Sequence, residues 1–189
     1  LVLDNGATGV VEMSLFRNGT GLELRGLSSM ILRSNRFENA GIGLASNNSS
    51  PSVALNRFEN NLVAIHVGDG RVPVEVTDNS FIGNTTAIQS TANQVILAPS
   101  NFWGTTDSSA IASQFSGNVE WAPFLETEPG VTAIEEAEDR TLPAHLALHQ
   151  NRPNPFNSST VIPFDLPRDA EVSLTIYDVL GRSLRQLLS

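Results

Sequence analysis

The sequence predicts an all-β chain: a right-handed parallel β-helix solenoid closed by a short helix, then an acidic linker and a second, small β region. Three observations carry this reading. The stretch NRFEN occurs twice, at Asn35–Asn39 and at Asn56–Asn60. Aromatic residues return at Phe16, Phe37, Phe58, Phe81 and Trp103, in steps of 21, 21, 23 and 22. Around each, apolar residues alternate with a period of two and are bounded by Gly, Asn, Ser and Asp. That is strand-and-turn patterning, without the i, i+3, i+4 stripe a helix requires.

A fixed period of this length means stacked units. Short strands, about three per unit, make each unit one coil, with equivalent strands about 4.8 Å apart. Apolar pairs follow the aromatics at Leu22/Leu24, Ile42/Leu44, Val63/Ile65 and Ala87/Ile88. Others precede them at Met30/Leu32, Val53/Leu55, Val74/Val76 and Val95/Leu97. The aromatics then form an interior stack. Asn35, Asn56, Asn79 and Asn101 lie two positions before it, with Ser14 in the first copy. Asn18, Asn39 and Asn60 lie two positions after it, and Asn84 is displaced by one behind Gly83. Asn tolerates the left-handed backbone region, so these residues are expected at bends, hydrogen-bonded from coil to coil. Arg36, Glu38, Arg57 and Glu59 flank the inward Phe and are expected on the solvent side. A leucine-rich repeat shares the period but needs an L-x-x-L-x-L signature, and these copies lack it.

The last coil of a solenoid exposes an apolar face and must be closed. "APSNFWGTTDSSAIASQFSGNVEWAPFL" departs from the period at Ala98–Leu125. Thr106 or Asp107 suits the N-cap of a short helix running to about Gln114. Ile111 and Phe115 then face the open end, with Trp103, Trp121 and Phe124 adding bulk. The functional alternative for these aromatics is a sugar-stacking platform.

Composition narrows the function classes. The 189 residues carry 20 acidic and 11 basic side chains, a net charge of −9, and every basic one is Arg. An acidic chain repels phosphate backbones, so no nucleic-acid partner is expected. Without Lys there is no P-loop and no Schiff-base chemistry; without Cys there is no thiolate nucleophile, thiolate metal site or disulfide. No apolar run reaches the ~18 residues of a spanning helix. The chain opens on LVLDNGATGV, with neither Met nor signal-peptide features, and reads as an internal fragment.

With the repeat and the closing stretch in hand, residues 1–125 resemble the end of a pectin-lyase-like β-helix of the periplasmic copper-protein and carbohydrate-binding type. That likeness implies a fold rather than an activity, because the superfamily hosts lyases, hydrolases, esterases and non-enzymatic surface proteins.

Residues 126–140, "ETEPGVTAIEEAEDR", hold six acidic residues, one Arg and a Pro-Gly. They read as an extended, solvated linker. Beyond it, residues 141–189 show an extended lead-in through Pro153 and Pro155. Two alternating strands follow around Val161–Leu166 and Val172–Tyr177, and a turn at Val179–Gly181 leads into Leu184–Leu188.

This tail resembles the C-terminal sorting domain of type IX secretion cargo, and is similar to the Ig-like module of flagellar hook-capping proteins. The blocks in order are Gln150, Asn151, Pro153, Asn154, Pro155, Phe156, Asn157 and Thr160, then Leu166 and Pro167, then Ile176, Tyr177, Asp178, Gly181 and Arg182. The resemblance implies an Ig-like β-sandwich that directs export across an outer membrane through the type IX secretion machinery. Only its N-terminal half is matched. Such a half cannot close its sheets alone.

Candidate chemistry is sparse. His66, Asp69 and Arg71 in "IHVGDGR" are the ligand candidates, the residue types that hold Ca2+ and an acidic sugar on a β-helix face. Paired carboxylates for sugar hydrolysis have one counterpart, Glu38 and Glu59 one coil apart. His145 and His149 have the spacing of a helical zinc pair, but their surroundings read as extended and HExxH is not present. The reading is a secreted or outer-cell-surface scaffold that binds polysaccharide, with no catalytic residue, no metal ligand and no cofactor assigned. The alternative is a polysaccharide lyase or glycoside hydrolase with its active site in upstream coils. The two separate on whether earlier coils cluster Asp and Arg on one sheet.

Overall fold

The structure is a computed structural model. It describes all residues except Asn5, Val72, Val74, 131–144, Pro153, 156–159, Leu166, 168–171 and Ser189, and only the backbone of Leu187 and Leu188. Contacts divide the chain into two units, Leu1–Glu135 with Ser173–Ser189, and Glu136–Val172.

The coils are built from short strands with turns between them. The first holds β1 (Val2–Leu3), β2 (Thr8–Glu12) and β3 (Leu15–Arg17), the second β4 (Thr20–Leu24), β5 (Ser29–Arg33) and β6 (Arg36–Glu38). The third holds β7 (Ile42–Ser46), β8 (Ser52–Ala54) and β9 (Arg57–Glu59), and the fourth β10 (Val63–Val67), β11 (Glu75–Thr77) and β12 (Ser80–Ile82). Next come β13 (Thr86–Ser90), β14 (Ile96–Leu97), α1 (Ser108–Ala112), β15 (Phe115–Ser116) and β16 (Val119–Glu120).

Equivalent strands pair in parallel and in register. A long sheet runs β1-β4-β7-β10-β13-β15, a second sheet β11-β8-β5-β2, and an aromatic sheet β12-β9-β6-β3; β14 pairs with β16. The fold is therefore the all-β parallel solenoid that the period predicts.

Each sheet sends side chains inward in register columns. Leu22, Leu44, Ile65 and Ile88 align in the long sheet, and Leu32, Val53 and Val76 in the second. All seven are fully buried. On the third side Phe16, Phe37, Phe58, Phe81 and Trp103 stack with ring centroids 4.8, 4.8, 5.0 and 4.6 Å apart. The strand spacing imposes that interval: rings on adjacent in-register strands must lie about 4.8 Å apart. Each buried aromatic removes roughly 150–250 Å² from water, so this column is a main apolar contributor to the core.

The alternation expected before the aromatics holds at Met30 and Leu32, both buried, and fails in two later coils. Val53 is buried, but Leu55 is 41% exposed with φ at 58°. The strand ends at Ala54 and the chain turns there through a left-handed residue. Val95 and Leu97 likewise point out, while Ile96 and Ala98 are buried. The left-handed corner residue is thus the one before the buried Asn: Ser34, Leu55, Asp78 and Ser100. Asn18, Asn39 and Asn60 do sit at a left-handed bend, and Gly83 takes that position in the fourth coil.

Asn35, Asn56, Asn79 and Asn101 are fully buried and form a ladder. Asn35 donates both its backbone N–H and its Nδ2 to Asn56 Oδ1 at 3.0 Å. Asn56 does the same to Asn79, and Asn79 to Asn101. The remaining Nδ2 capacity reaches backbone carbonyls, Leu32 O for Asn56 and Val53 O for Asn79, both at 2.8 Å. Asn84 belongs to a second ladder. Its Oδ1 accepts from the N–H and Nδ2 of Asn61 at 2.9 Å, while Asn61 Oδ1 accepts from the N–H of Ala40 at 3.0 Å.

Corner lengths differ by side. Val11, Leu32, Val53 and Val76 each precede their stacked aromatic by five positions. From the long sheet to the second sheet the chain takes eight positions between Leu24 and Leu32, seven between Ser46 and Val53, and nine between Val67 and Val76. The step of 23 enters at this corner; the corner from the aromatic to the long sheet varies by one, six positions from Phe16 to Leu22 and seven from Phe37 to Leu44, Phe58 to Ile65 and Phe81 to Ile88.

The stretch after Ala98 continues the solenoid. Phe102 bridges Ser80 in parallel, β15 extends the long sheet, and the N–H of Leu125 donates to Asn101 O at 2.9 Å. The helix α1 is inserted within this coil. Asp107 is its N-cap, accepting from the N–H groups of Ser109 and Ala110 at 2.8 and 3.0 Å. Its Ile111 is fully buried.

In the tail, β17 (Ala147–Leu148) pairs antiparallel with β18 (Phe164–Asp165), and β19 (Leu174–Tyr177) with β20 (Ser183–Leu188). Most of the linker, and the sorting-block residues Pro153, Phe156 and Asn157, lie outside the described residues.

Candidate functional site

The outer face of the aromatic sheet carries the densest organised chemistry. Register sets Arg36 beside Arg57, Glu38 beside Glu59, and Arg17 beside Glu38. Like charges directly opposite repel, so the side chains cross between columns. Arg17 and Arg36 both pair with Glu38. Arg36 Nη2 donates to Glu59 Oε2 at 3.0 Å, and Arg57 Nε donates to the same oxygen at 2.9 Å. Arg57 Nη1 then pairs with Glu128, whose Oε1 also accepts from Ser80 Oγ at 2.9 Å.

This corrects the expectation that these residues simply face solvent. The Glu38 side chain is only 5% exposed and Glu59 20%. In each case one salt-bridging arginine from the same strand and one from the preceding coil fold over the carboxylate. Burial alone would raise the Glu59 carboxyl above its ordinary range, but Arg57 and Arg36 outweigh it and hold the carboxyl low. Burial likewise works against the Arg57 charge, and Glu59 and Glu128 overcome it, so its pKa is raised. A general acid for sugar hydrolysis needs the opposite shift in its carboxyl. Glu59 is tuned to stay ionised.

His66 stands on the outer face of the long sheet, half-buried, in register with Ala45 and Gln89. Asp69 and Arg71 are exposed at the following corner, and no hydrogen bond or ion pair joins the three. Among the described residues no three His, Asp or Glu side chains come together to hold a metal ion. Glu23, in the same outer column as His66, is held by Arg25 at 2.7 and 2.8 Å and by Asn47 Nδ2 at 3.0 Å.

The closing aromatics pack against one another. Trp103 is 1% exposed and meets Phe115 edge-on at 4.9 Å; Phe115 and Trp121 follow at 6.4 Å, and Trp121 and Phe124 at 5.7 Å with their planes tilted by 44°. Phe115, Trp121 and Phe124 are partly buried against the core. The group covers the end of the coil stack rather than presenting one flat face.

In the tail, His149 Nε2 lies 2.7 Å from Asp165 Oδ2 across β17 and β18, and the segment is extended. Asn151 Nδ2 donates to Thr160 Oγ1 at 3.0 Å, and Asn154 and Pro155 are exposed. Between β19 and β20, Asp178 Oδ1 accepts from the N–H groups of Leu180 and Arg182, both at 2.9 Å, and Asp178 Oδ2 from Arg182 Nε at 2.6 Å. The backbone bond from Arg182 is the largest cause of the lowered Asp178 pKa. Gly181 has φ at 79°, which explains glycine there. The last block of the tail is thus a self-capped hairpin turn, with Tyr177 exposed beside it.

Sequence reasoning missed Glu128 and the Asn61–Asn84 rung. The signal for the rung was the asparagine directly after NRFEN. Glu128 is 71 positions from Arg57 and gives no local signal.

Residues 2–102 match the family described as the right handed beta helix region. With more than half of the chain matched and the coils in place, the chain belongs to that family of parallel solenoids. No curated protein and no solved structure matches it.

Proposed function

We propose that the chain works as a non-catalytic scaffold outside the cell or on its outer surface, binding polysaccharide along the coil faces and exported by its C-terminal segment. One observation carries the scaffold reading. The ionisable side chains at the centre of the most ordered face neutralise one another, with Glu59 held in its charged form by two arginines. Groups tuned this way stabilise a surface and do not exchange protons near neutral pH. The export reading rests on the ordered blocks from Gln150 to Arg182, whose final block forms the Asp178 turn.

Two experiments test this. The protein is incubated with a panel of uronic-acid and neutral polysaccharides, and both retention and chain length are measured. Retention without cleavage is expected; cleavage by the isolated chain sinks the scaffold reading. The tail, extended to a complete sorting domain, is fused to a reporter in a type IX-competent host. Reporter outside the cell is expected, and reporter held in the periplasm refutes export.

A further inference from the structure

Glu128 leaves the closing coil and returns along the outside of the aromatic sheet. Its carboxylate meets Arg57 Nη1 on β9 and Ser80 Oγ on β12, two residues that register places side by side. Without it, among the described residues, Arg17, Arg36 and Arg57 face only Glu38 and Glu59, one positive charge in excess. Glu128 completes the ladder. It also belongs to "ETEPG", the first residues of the acidic stretch, so the contact fixes the start of that stretch on the coil face.

We infer that Arg57 and Ser80 form a carboxylate-binding site on the outer face of the aromatic sheet, that its resident ligand is Glu128 of the same chain, and that this contact is a releasable strap tying the acidic segment to the coils. The chemistry is that of a charge-assisted, doubly held carboxylate. The strap spans two coil levels, since Arg57 and Ser80 are on adjacent strands. Its Arg57 end is partly exposed, which makes the hold sensitive to salt.

The chain has no cysteine, and a side chain at Gly130 enters open space. A spin label on Gly130→Cys therefore reports the strap uniquely. A slow-motion component is expected at low salt in the parent. It should be lost in Glu128→Gln, reduced in Ser80→Ala, and lost in the parent at about 1 M salt, where the Debye length is near 3 Å. Glu128→Gln and Ser80→Ala leave the Arg57–Glu59 pair intact, so unchanged circular dichroism and melting are expected alongside. A label equally mobile in the parent and in Glu128→Gln, or one that stays slow in Glu128→Gln, overturns the inference.

Discussion

Asn56 Oδ1 accepts two hydrogen bonds from Asn35, one from its backbone N–H and one from its Nδ2, each 3.0 Å long. One amide oxygen thus satisfies two buried donors on the coil below. Its own Nδ2 satisfies Leu32 O, Ala54 O and Asn79 Oδ1 in turn. Asn56→Ala orphans several of these groups. A buried unsatisfied polar group costs about 1–3 kcal/mol, so a loss of roughly 3 kcal/mol or more is expected in urea unfolding. Asn56→Asp should be no better, because it replaces the donating Nδ2 with a carboxylate oxygen.

The aromatic column predicts graded losses. Phe37→Ala and Phe58→Ala each remove a fully buried ring between two stacked neighbours, at about 3–5 kcal/mol. Phe16 is only partly buried and stacks on one side, so Phe16→Ala should cost clearly less. Equal losses at the three positions, measured by chemical denaturation, would contradict the column as the source of the stability.

Acid should weaken the aromatic sheet. Because the folded Glu59 carboxyl is held below its unfolded value, its contribution is present above the unfolded carboxylate pKa of about 4.3. It is lost as pH falls through the folded value. Thermal melting between pH 6 and pH 3 should show an acid limb that Glu59→Gln flattens. Glu38→Ala should destabilise at neutral pH as well, by about 1–2 kcal/mol, since Arg17 loses its partner and Arg36 keeps only Glu59.

Leu55 offers a gain. It is an exposed leucine at φ 58°, a conformation that costs a non-glycine residue about 1–2 kcal/mol. Asn is the better resident there. Leu55→Asn is expected to raise the unfolding midpoint, corresponding to about 0.5–1 kcal/mol. A lower midpoint would mean that the leucine makes a packing contribution its exposure does not suggest.

The column of rings was legible because it depends only on the period, and a period survives in sequence wherever the chain must fall back on itself. The closing helix was legible because Asp107 and Ile111 are local signals. Glu38 was misread because Arg17, on the coil below and 21 positions away, closes over it together with the adjacent Arg36. Leu55 was misread because period-two alternation carries through a corner on paper, whereas a left-handed residue reverses which side the next group takes. Asn84 looked displaced because it was matched to Asn60, whereas it lies three positions after Phe81, as Asn61 does after Phe58. In space the glycine took the bend and Asn84 joined another ladder. The site candidates fared differently. His66, Asp69 and Arg71 are near in sequence, but the structure links none of them by a hydrogen bond.

The unequal corner lengths make the solenoid a ruler whose most adjustable edge is the turn between the long and second sheets. The turn between the second and aromatic sheets is locked at its length by the asparagine ladder it serves. The turn between the long and second sheets already accepts seven, eight or nine positions in this one chain. New loops grafted after Asp69 should therefore leave the core register untouched, while a single residue inserted after Ser34 should throw every later ring out of line. Any diversification of what this scaffold touches has a free margin along that edge, and the loop carrying Asp69 and Arg71 is its longest present example.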